Sequence, residues 1–199
     1  MIEVRKKEEI FHIKEDWFEG YWHFSFGVPP QGFHDPQNTN FGALRVFNID
    51  TLILGGVWPM HPHRDNEVIT YVLEGEFQHA DQNGKGGVLY QGDVQHTTVG
   101  RGMFHEEINH LPDIPMTFLQ IWIIPREKGL EPSVEQRAVK KEERLNRFLT
   151  LVSDKNPDAL PLAGEQTLSA GDAARTTGDP SLEVEAEQDS ELAMVVVRV

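Results

Sequence analysis

Apolar and polar residues alternate in short runs along most of the chain, and glycine-rich turns rather than helical stretches separate the runs. Residues 10 to 26 gather Trp17, Phe18, Tyr21, Trp22, Phe24 and Phe26, a density of aromatics that predicts core-packing strand. A long loop is predicted from Gly27 to Asn40, where Gly, Pro, Gln, Asn and Asp dominate. Phe41 to Asp50 and Thr51 to Leu54 read as two strands meeting at a polar turn, Asn48 to Asp50, before Gly55-Gly56 breaks the run. Val68 to Leu73, Glu76 to Ala80, Val88 to Tyr90 and Val94 to Val99 continue the series, with Asn83-Gly84 as a hairpin signal because both residues tolerate positive φ. Met116 to Pro125 is dense with β-formers and reads as a core strand. With no amphipathic helix among them, these strands predict an all-β antiparallel sandwich or barrel, inside which a metal and a small ligand would sit.

The pattern changes beyond Pro132. Val134 to Leu149 has the charge mixture of a short helix or ordered loop, and Asn156-Pro157 and Leu160-Pro161 punctuate a further loop. Two strands are expected later: an alternating one at Leu182 to Glu187 and a buried one at Leu192 to Val197. The division expected is a first unit over residues 1–135 and a shorter second one over 136–199.

Two short segments carry candidate chemistry. On a strand, side chains two apart project to the same face, so His61 pairs with His63, and His105 with Glu107. A lone His-x-His triplet carries little in a chain with nine histidines. Here the first pair runs straight into the β-branched Val68 to Leu73, and the second follows the turn Gly100-Arg101-Gly102, so two inward-pointing pairs on neighbouring strands could hold one metal ion. Pro62 donates no ladder hydrogen bond, which predicts an irregular or edge strand at that point. His23, His34, His79 and His96 are read as structural or exposed, although His96 could support a ligand from behind.

Charge and composition narrow the function. A net charge of −14 repels phosphate backbones, and the one basic cluster, Arg137, Lys140, Lys141, Arg144 and Arg147, is interrupted by Glu135, Glu142 and Glu143. Direct nucleic-acid binding is therefore disfavoured. No cysteine is present, which removes disulfides, thiolate metal sites and cysteine nucleophiles. No run of eighteen apolar residues occurs, and Met1 to Glu9 lacks the apolar core of a secretory signal, so no membrane span and a cytoplasmic location are expected.

At His61-Pro62-His63-Arg64, Tyr71-Val72-Leu73-Glu74-Gly75-Glu76 and Gly100-Arg101-Gly102-Met103-Phe104-His105-Glu106-Glu107 the sequence resembles the pirin family of the cupin superfamily. Phe41 to Val46, Leu119 to Trp122 and Gly129 to Arg137 extend the likeness, especially to bacterial quercetinase-like members, and it covers about Trp17 to Arg137. The resemblance implies a cupin jelly-roll barrel with a second cupin-like domain. It maps His61, His63, His105 and Glu107 onto the family's metal ligands, with Fe(II) as the usual ion and Mn, Co, Ni, Cu or Zn acceptable to such donors.

It further implies quercetin 2,3-dioxygenase-like chemistry. Glu107, or water on the metal, would take the flavonol 3-hydroxyl proton, and dioxygen would open the heterocycle with loss of carbon monoxide. Met103, Phe104 and Trp58 could furnish apolar walls, and Glu67, not a ligand in pirins, could orient a histidine. The alternative that the family offers is a non-catalytic module whose metal oxidation state alters a surface read by a regulatory protein partner.

This chain departs from the pattern at Glu106, where a small residue is usual, and between Asp154 and Gly171, which is too short for the first half of a second barrel. Leu168 through Val199 resembles that barrel's second half, so the C-terminal cupin-like sheet is expected to be incomplete. Either another copy of the chain completes it, in a homo-oligomer, or it survives as a small sheet packed against the first barrel.

Overall fold

The computed structural model describes residues 2–25, 35–84, 86–147, 149–153, 170, 172–176 and 190–196. In chain order its strands are β1 (Ile2–Arg5), β2 (Phe11–Lys14), β3 (Phe18–Trp22), β4 (Leu44–Leu52), β5 (Val57–His63), β6 (Glu67–Glu74), β7 (Glu76–Asp81), β8 (Gly86–Tyr90), β9 (Val94–Thr98), β10 (Met103–Asn109), β11 (Met116–Ile123), β12 (Ser133–Arg137) and β13 (Ala173–Thr176). Among the described residues one four-residue α-helix, α1 (Lys141–Arg144), interrupts them. No helix among the described residues is long and apolar enough to cross a membrane.

Two antiparallel sheets face each other. One has seven strands in the order β12-β9-β6-β11-β4-β3-β2, the other four in the order β5-β10-β7-β8, and β1 pairs with β13 in a separate ribbon. The alternation read from the sequence decides which side chains lie between the sheets. Phe77 and Leu89 of the smaller sheet pack there against Phe18, Trp22, Leu52, Val72, Met116 and Phe118 of the larger. Phe77 and Phe118 meet edge to face, with ring centroids 5.0 Å apart. Each such fully buried side chain contributes about 1.5–3 kcal/mol.

The larger sheet is apolar on its other face too. Tyr71, Leu119 and Ile121 are buried on that side, with Phe47, Ile49 and Val195 among the residues packed against them. Tyr71 Oη donates to the Glu191 carboxylate, which also pairs with Arg144 and so ties the tail segment to this face.

Three expectations are corrected. Asn48 to Asp50 is not a turn, since β4 runs unbroken from Leu44 to Leu52 with every even-numbered residue buried, Asn48 and Asp50 included. Asn and Asp suit turns, but here both face a polar patch of the interior that satisfies them. Val134 to Leu149 holds the short helix expected there, α1, but begins with a strand, β12, hydrogen-bonded to β9 at the sheet edge. Leu192 to Val196 forms no strand, and Leu192, Met194 and Val196 are exposed, because no described strand offers it a ladder partner. The expectations at Leu182 to Glu187 and at His34 lie outside the described residues. The basic cluster carries the mixed charge expected of it, with Arg137 bonded to Glu143.

Candidate metal centre

β5 and β10 lie side by side and antiparallel, with His61 opposite His105 and His63 opposite Met103. β5 is an edge strand, as Pro62 requires, since its only ladder partner among the described residues is β10. The register slips between His105 and Glu107, which face His61 and Trp58 respectively. Pro59 and Met60 therefore oppose the single residue Glu106, which is a β-bulge. On a regular strand Trp58 and His61 would point to opposite faces. The bulge lets Trp58, His61 and His63 all turn inward and places Trp58 over Phe18, with centroids 4.9 Å apart.

The three histidines converge. One nitrogen from each of His61, His63 and His105 lies within 4.8 Å of the other two, a group that could hold a metal ion. Nε2 of His61 and Nε2 of His105 are 3.2 Å apart. The Nδ1 of His61 lies 2.7 Å from the carbonyl of Pro59, and because a carbonyl only accepts, that nitrogen carries the hydrogen. Nε2 of His61 is then a bare lone pair aimed at its neighbours, as a metal ligand requires. Nε2 of His63 is buried with no hydrogen-bond partner among the described residues, an orphaned donor atom that a cation would satisfy. These residues fit a divalent transition metal.

Burial holds the rings neutral. It pulls His61 down from its ordinary value, His63 to about 4 with the neighbouring His61 charge adding, and His105 to about 2. Neutral imidazole is the form that ligates.

Glu107 is buried on the same strand, but its carboxylate is not part of the close trio of nitrogens. It lines, with His61 and His63, a cavity of about 150 Å³ between the sheets. Aromatic walls come from Phe18, Trp22, Trp58, Phe118 and Trp122, and polar groups from Asn48, Asp50 and Gln120. Gln120 Nε2 donates to Glu107 Oε1 at 2.7 Å, while its Oε1 accepts from the Trp122 indole at 2.9 Å, so the amide has one possible orientation. Trp22 Nε1 donates to Asp50 at 2.7 Å. Burial raises Glu107 to about 8, with the Asp50 charge adding and the Gln120 bond opposing, and burial raises Asp50 to about 7. A cation beside them would reverse both shifts.

Four other sequence readings resolve here. Glu67 orients no member of the trio, since its carboxylate accepts from His96 Nε2 at 2.7 Å and Thr98 Oγ1 at 2.8 Å. His96 is thereby occupied and supports no ligand. Met103 is buried against Val68 and Val99 as core, and Phe104 is half exposed, so only Trp58 of the three candidate walls lines the cavity. Glu106 is half-buried between two inward neighbours, as strand alternation predicts.

Two residues that sequence reasoning missed are Asp50, assigned to a turn, and His79. His79 is fully buried on β7, with Nε2 2.8 Å from Nδ1 of His105. The available signal was its place in the alternation of Phe77, His79 and Asp81, all buried.

Comparison with known proteins agrees with this geometry. The Pirin family model matches residues 3–123. The chain is 38% identical over 181 residues to a Pseudomonas aeruginosa protein provisionally named a quercetin 2,3-dioxygenase, covering 87% of this chain and 76% of that one. It is 37% identical over 179 residues to a pirin-like protein of Caulobacter vibrioides, covering 86% and 75%. A crystal structure of the bacterial pirin YhhW from Escherichia coli in complex with nickel(II) superimposes with a TM-score of 0.64 at 38% identity, over 69% of this chain and 58% of that one. The chain thus spans little more than half the length of that structure. Its barrel, its convergent histidines and these matches together place the chain in the pirin family of cupin-fold proteins.

Proposed function

We propose that this chain is a metal-dependent dioxygenase of the pirin type that cleaves flavonols at a centre formed by His61, His63, His105 and Glu107, with Fe(II) as the working metal. The carrying observation is the convergence of one nitrogen each from His61, His63 and His105, with the buried Glu107 lining the same aromatic-walled cavity as His61 and His63. A cavity near 150 Å³ is the size that accepts one benzene-sized ring, so the reacting ring enters while the rest of a flavonol stays outside.

When bound, a divalent transition metal supplies Lewis acidity toward a flavonol hydroxyl and redox capacity toward dioxygen. The protein's own residues do the rest. Gln120 occupies Oε1 of Glu107, which leaves Oε2 to take the 3-hydroxyl proton. A cation alongside would offset the burial that raises Glu107 and leave it as the carboxylate, the form able to accept that proton, which then has little water to escape to. Phe18, Trp58 and Phe118, which line the cavity, would pack against the reacting ring.

The test is oxygen uptake, carbon monoxide release and product formation with quercetin on Fe(II)-loaded protein, set against free Fe(II) and the His61→Ala variant. The reading predicts about one metal per chain, turnover well above free metal, and loss of both in the variant. Turnover no greater than free metal overturns it in favour of the regulatory module, whose protein partner would present a basic surface to a chain of charge −14.

A further inference from the structure

We infer that His79 is the positioning residue that sets which nitrogen of His105 carries the hydrogen, and so whether the trio is ready for a cation. The inference rests on the metal reading above and adds a residue to it.

The hydrogens along this row are fixed by one group that cannot donate, the carbonyl of Pro59. It makes His61 carry its hydrogen on Nδ1, leaving Nε2 bare. The 3.2 Å approach of His105 Nε2 to His61 Nε2 is then a hydrogen bond only with His105 as donor. A neutral His105 protonated on Nε2 is bare on Nδ1, so the 2.8 Å contact there is donated by His79 Nε2. The row runs one way, from His79 through His105 and His61 to Pro59. It ends at Nδ1 of His79, which is buried with no hydrogen-bond partner among the described residues. As a bare lone pair it is a smaller loss than a buried orphan N–H.

A cation shared by Nε2 of His61 and Nε2 of His105 needs the opposite arrangement. His105 must move its hydrogen to Nδ1 and donate it to His79 Nε2, and a neutral His79 must then hold its own hydrogen on Nδ1. Neither ring changes its number of protons; both change tautomer. His79 supplies the acceptor without which the His105 Nδ1–H would be buried and unpaired. Gly86 leaves room beside the ring, since an added β-carbon would stand 2.0 Å from the His79 carbonyl and 3.0 Å from its Nδ1.

The experiment uses the full chain and Zn(II), which is diamagnetic. Long-range ¹H–¹⁵N spectra of the histidine rings are recorded before and after Zn(II) is added, and Zn(II) affinity is measured for wild type, His79→Leu and His79→Gln. The expected result is a switch of both His105 and His79 from Nε2–H to Nδ1–H on binding. Zn(II) affinity falls about 10- to 100-fold in His79→Leu, while His79→Gln, whose amide oxygen can accept from His105, recovers most of that loss.

A His105 tautomer that is the same in both spectra overturns the inference. So does a folded His79→Leu chain that binds Zn(II) as tightly as wild type, with the metal reading left intact. Wild type that binds no Zn(II) sinks both. Should His79→Leu fail to fold, the wild-type spectra and the His79→Gln affinity still decide.

Discussion

Gln120, on the seven-stranded sheet, reaches across the interior to donate a 2.7 Å hydrogen bond to Glu107 on the four-stranded one. It ties the carboxylate to the sheet opposite the histidines, and the Trp122 indole fixes which end of the amide faces it.

That carboxylate is expected to govern how metal binding depends on pH. Burial holds Glu107 at about 8, His63 at about 4 and His105 at about 2, so between pH 6 and 8 those two imidazoles are already neutral and the proton that competes with a cation sits on Glu107. Zn(II) affinity is expected to rise with pH across this interval by up to about tenfold per unit. Glu107→Gln should bind more weakly and with a flat profile. A step centred near pH 6.5 that survives in Glu107→Gln would assign the dependence to the histidines instead.

Asp50 is a liability to the metal-stripped fold at neutral pH. Its folded value of about 7 lies above the ordinary 3.8, so the folded chain holds a proton that the unfolded chain releases. Its contribution is fully present below about pH 4 and is lost as pH rises toward 7. Asp50→Asn keeps an acceptor for the Trp22 indole and removes the titration. The variant should match wild type at pH 4 and exceed it by about 2–4 kcal/mol at pH 8 in urea unfolding. A constant difference across that range would mean that Asp50 titrates normally.

Gly20 lies inward on β3, where an added β-carbon would stand 2.7 Å from the tip of Phe18, 2.7 Å from Trp22 Nε1 and 2.8 Å from Asp50 Oδ1. Two rigid rings and a buried carboxyl cannot all retreat. Gly20→Ala should cost about 1–3 kcal/mol in urea unfolding and break the Trp22 to Asp50 bond, visible as a shifted tryptophan emission. An alanine variant as stable as wild type would show that the wall yields.

Much of the site could be read from spacing. His61, His63, His105 and Glu107 obey the two-residue period of a strand, and the structure turns all four inward. Trp58 does not obey it: three residues before His61, it reaches the same cavity only because the bulge at Pro59 and Met60 shifts the phase. Asn48 and Asp50 resembled a turn because turn preference is local, whereas their burial comes from Trp22 on the neighbouring strand and Gln120 on the facing row of β11. His79 was hidden for a similar reason. It meets His105 through the pairing of β7 with β10, twenty-six residues apart, and a period-two pattern says which way a side chain points but not what stands opposite. Leu192 to Val196 misled in the other direction, as hydrophobicity without a ladder partner.

The bulge itself is open to a test. Deleting Met60 leaves Pro59 alone opposite Glu106 and puts Trp58 two residues before the first histidine, so a regular β5 still turns Trp58 and both histidines to one face. Zn(II) affinity and tryptophan emission should therefore stay close to those of wild type. A fall in affinity of about tenfold or more would show that the bulge itself, beyond the alternation, aims His61 and His63.

Because β5 is bonded on one side only among the described residues, the strand that carries His61 and His63 can peel away by breaking a single ladder, whereas β10, which carries His105 and Glu107, is held on both sides. Two of the four proposed ligands thus belong to a hinged half of the site and two to a fixed half, and exchange of a tightly held ion is expected to be set by fraying of residues 57–63 rather than by global unfolding. Amide hydrogen exchange should find those residues the quickest of the barrel strands around the cavity, and slowed when Zn(II) clasps the two halves together.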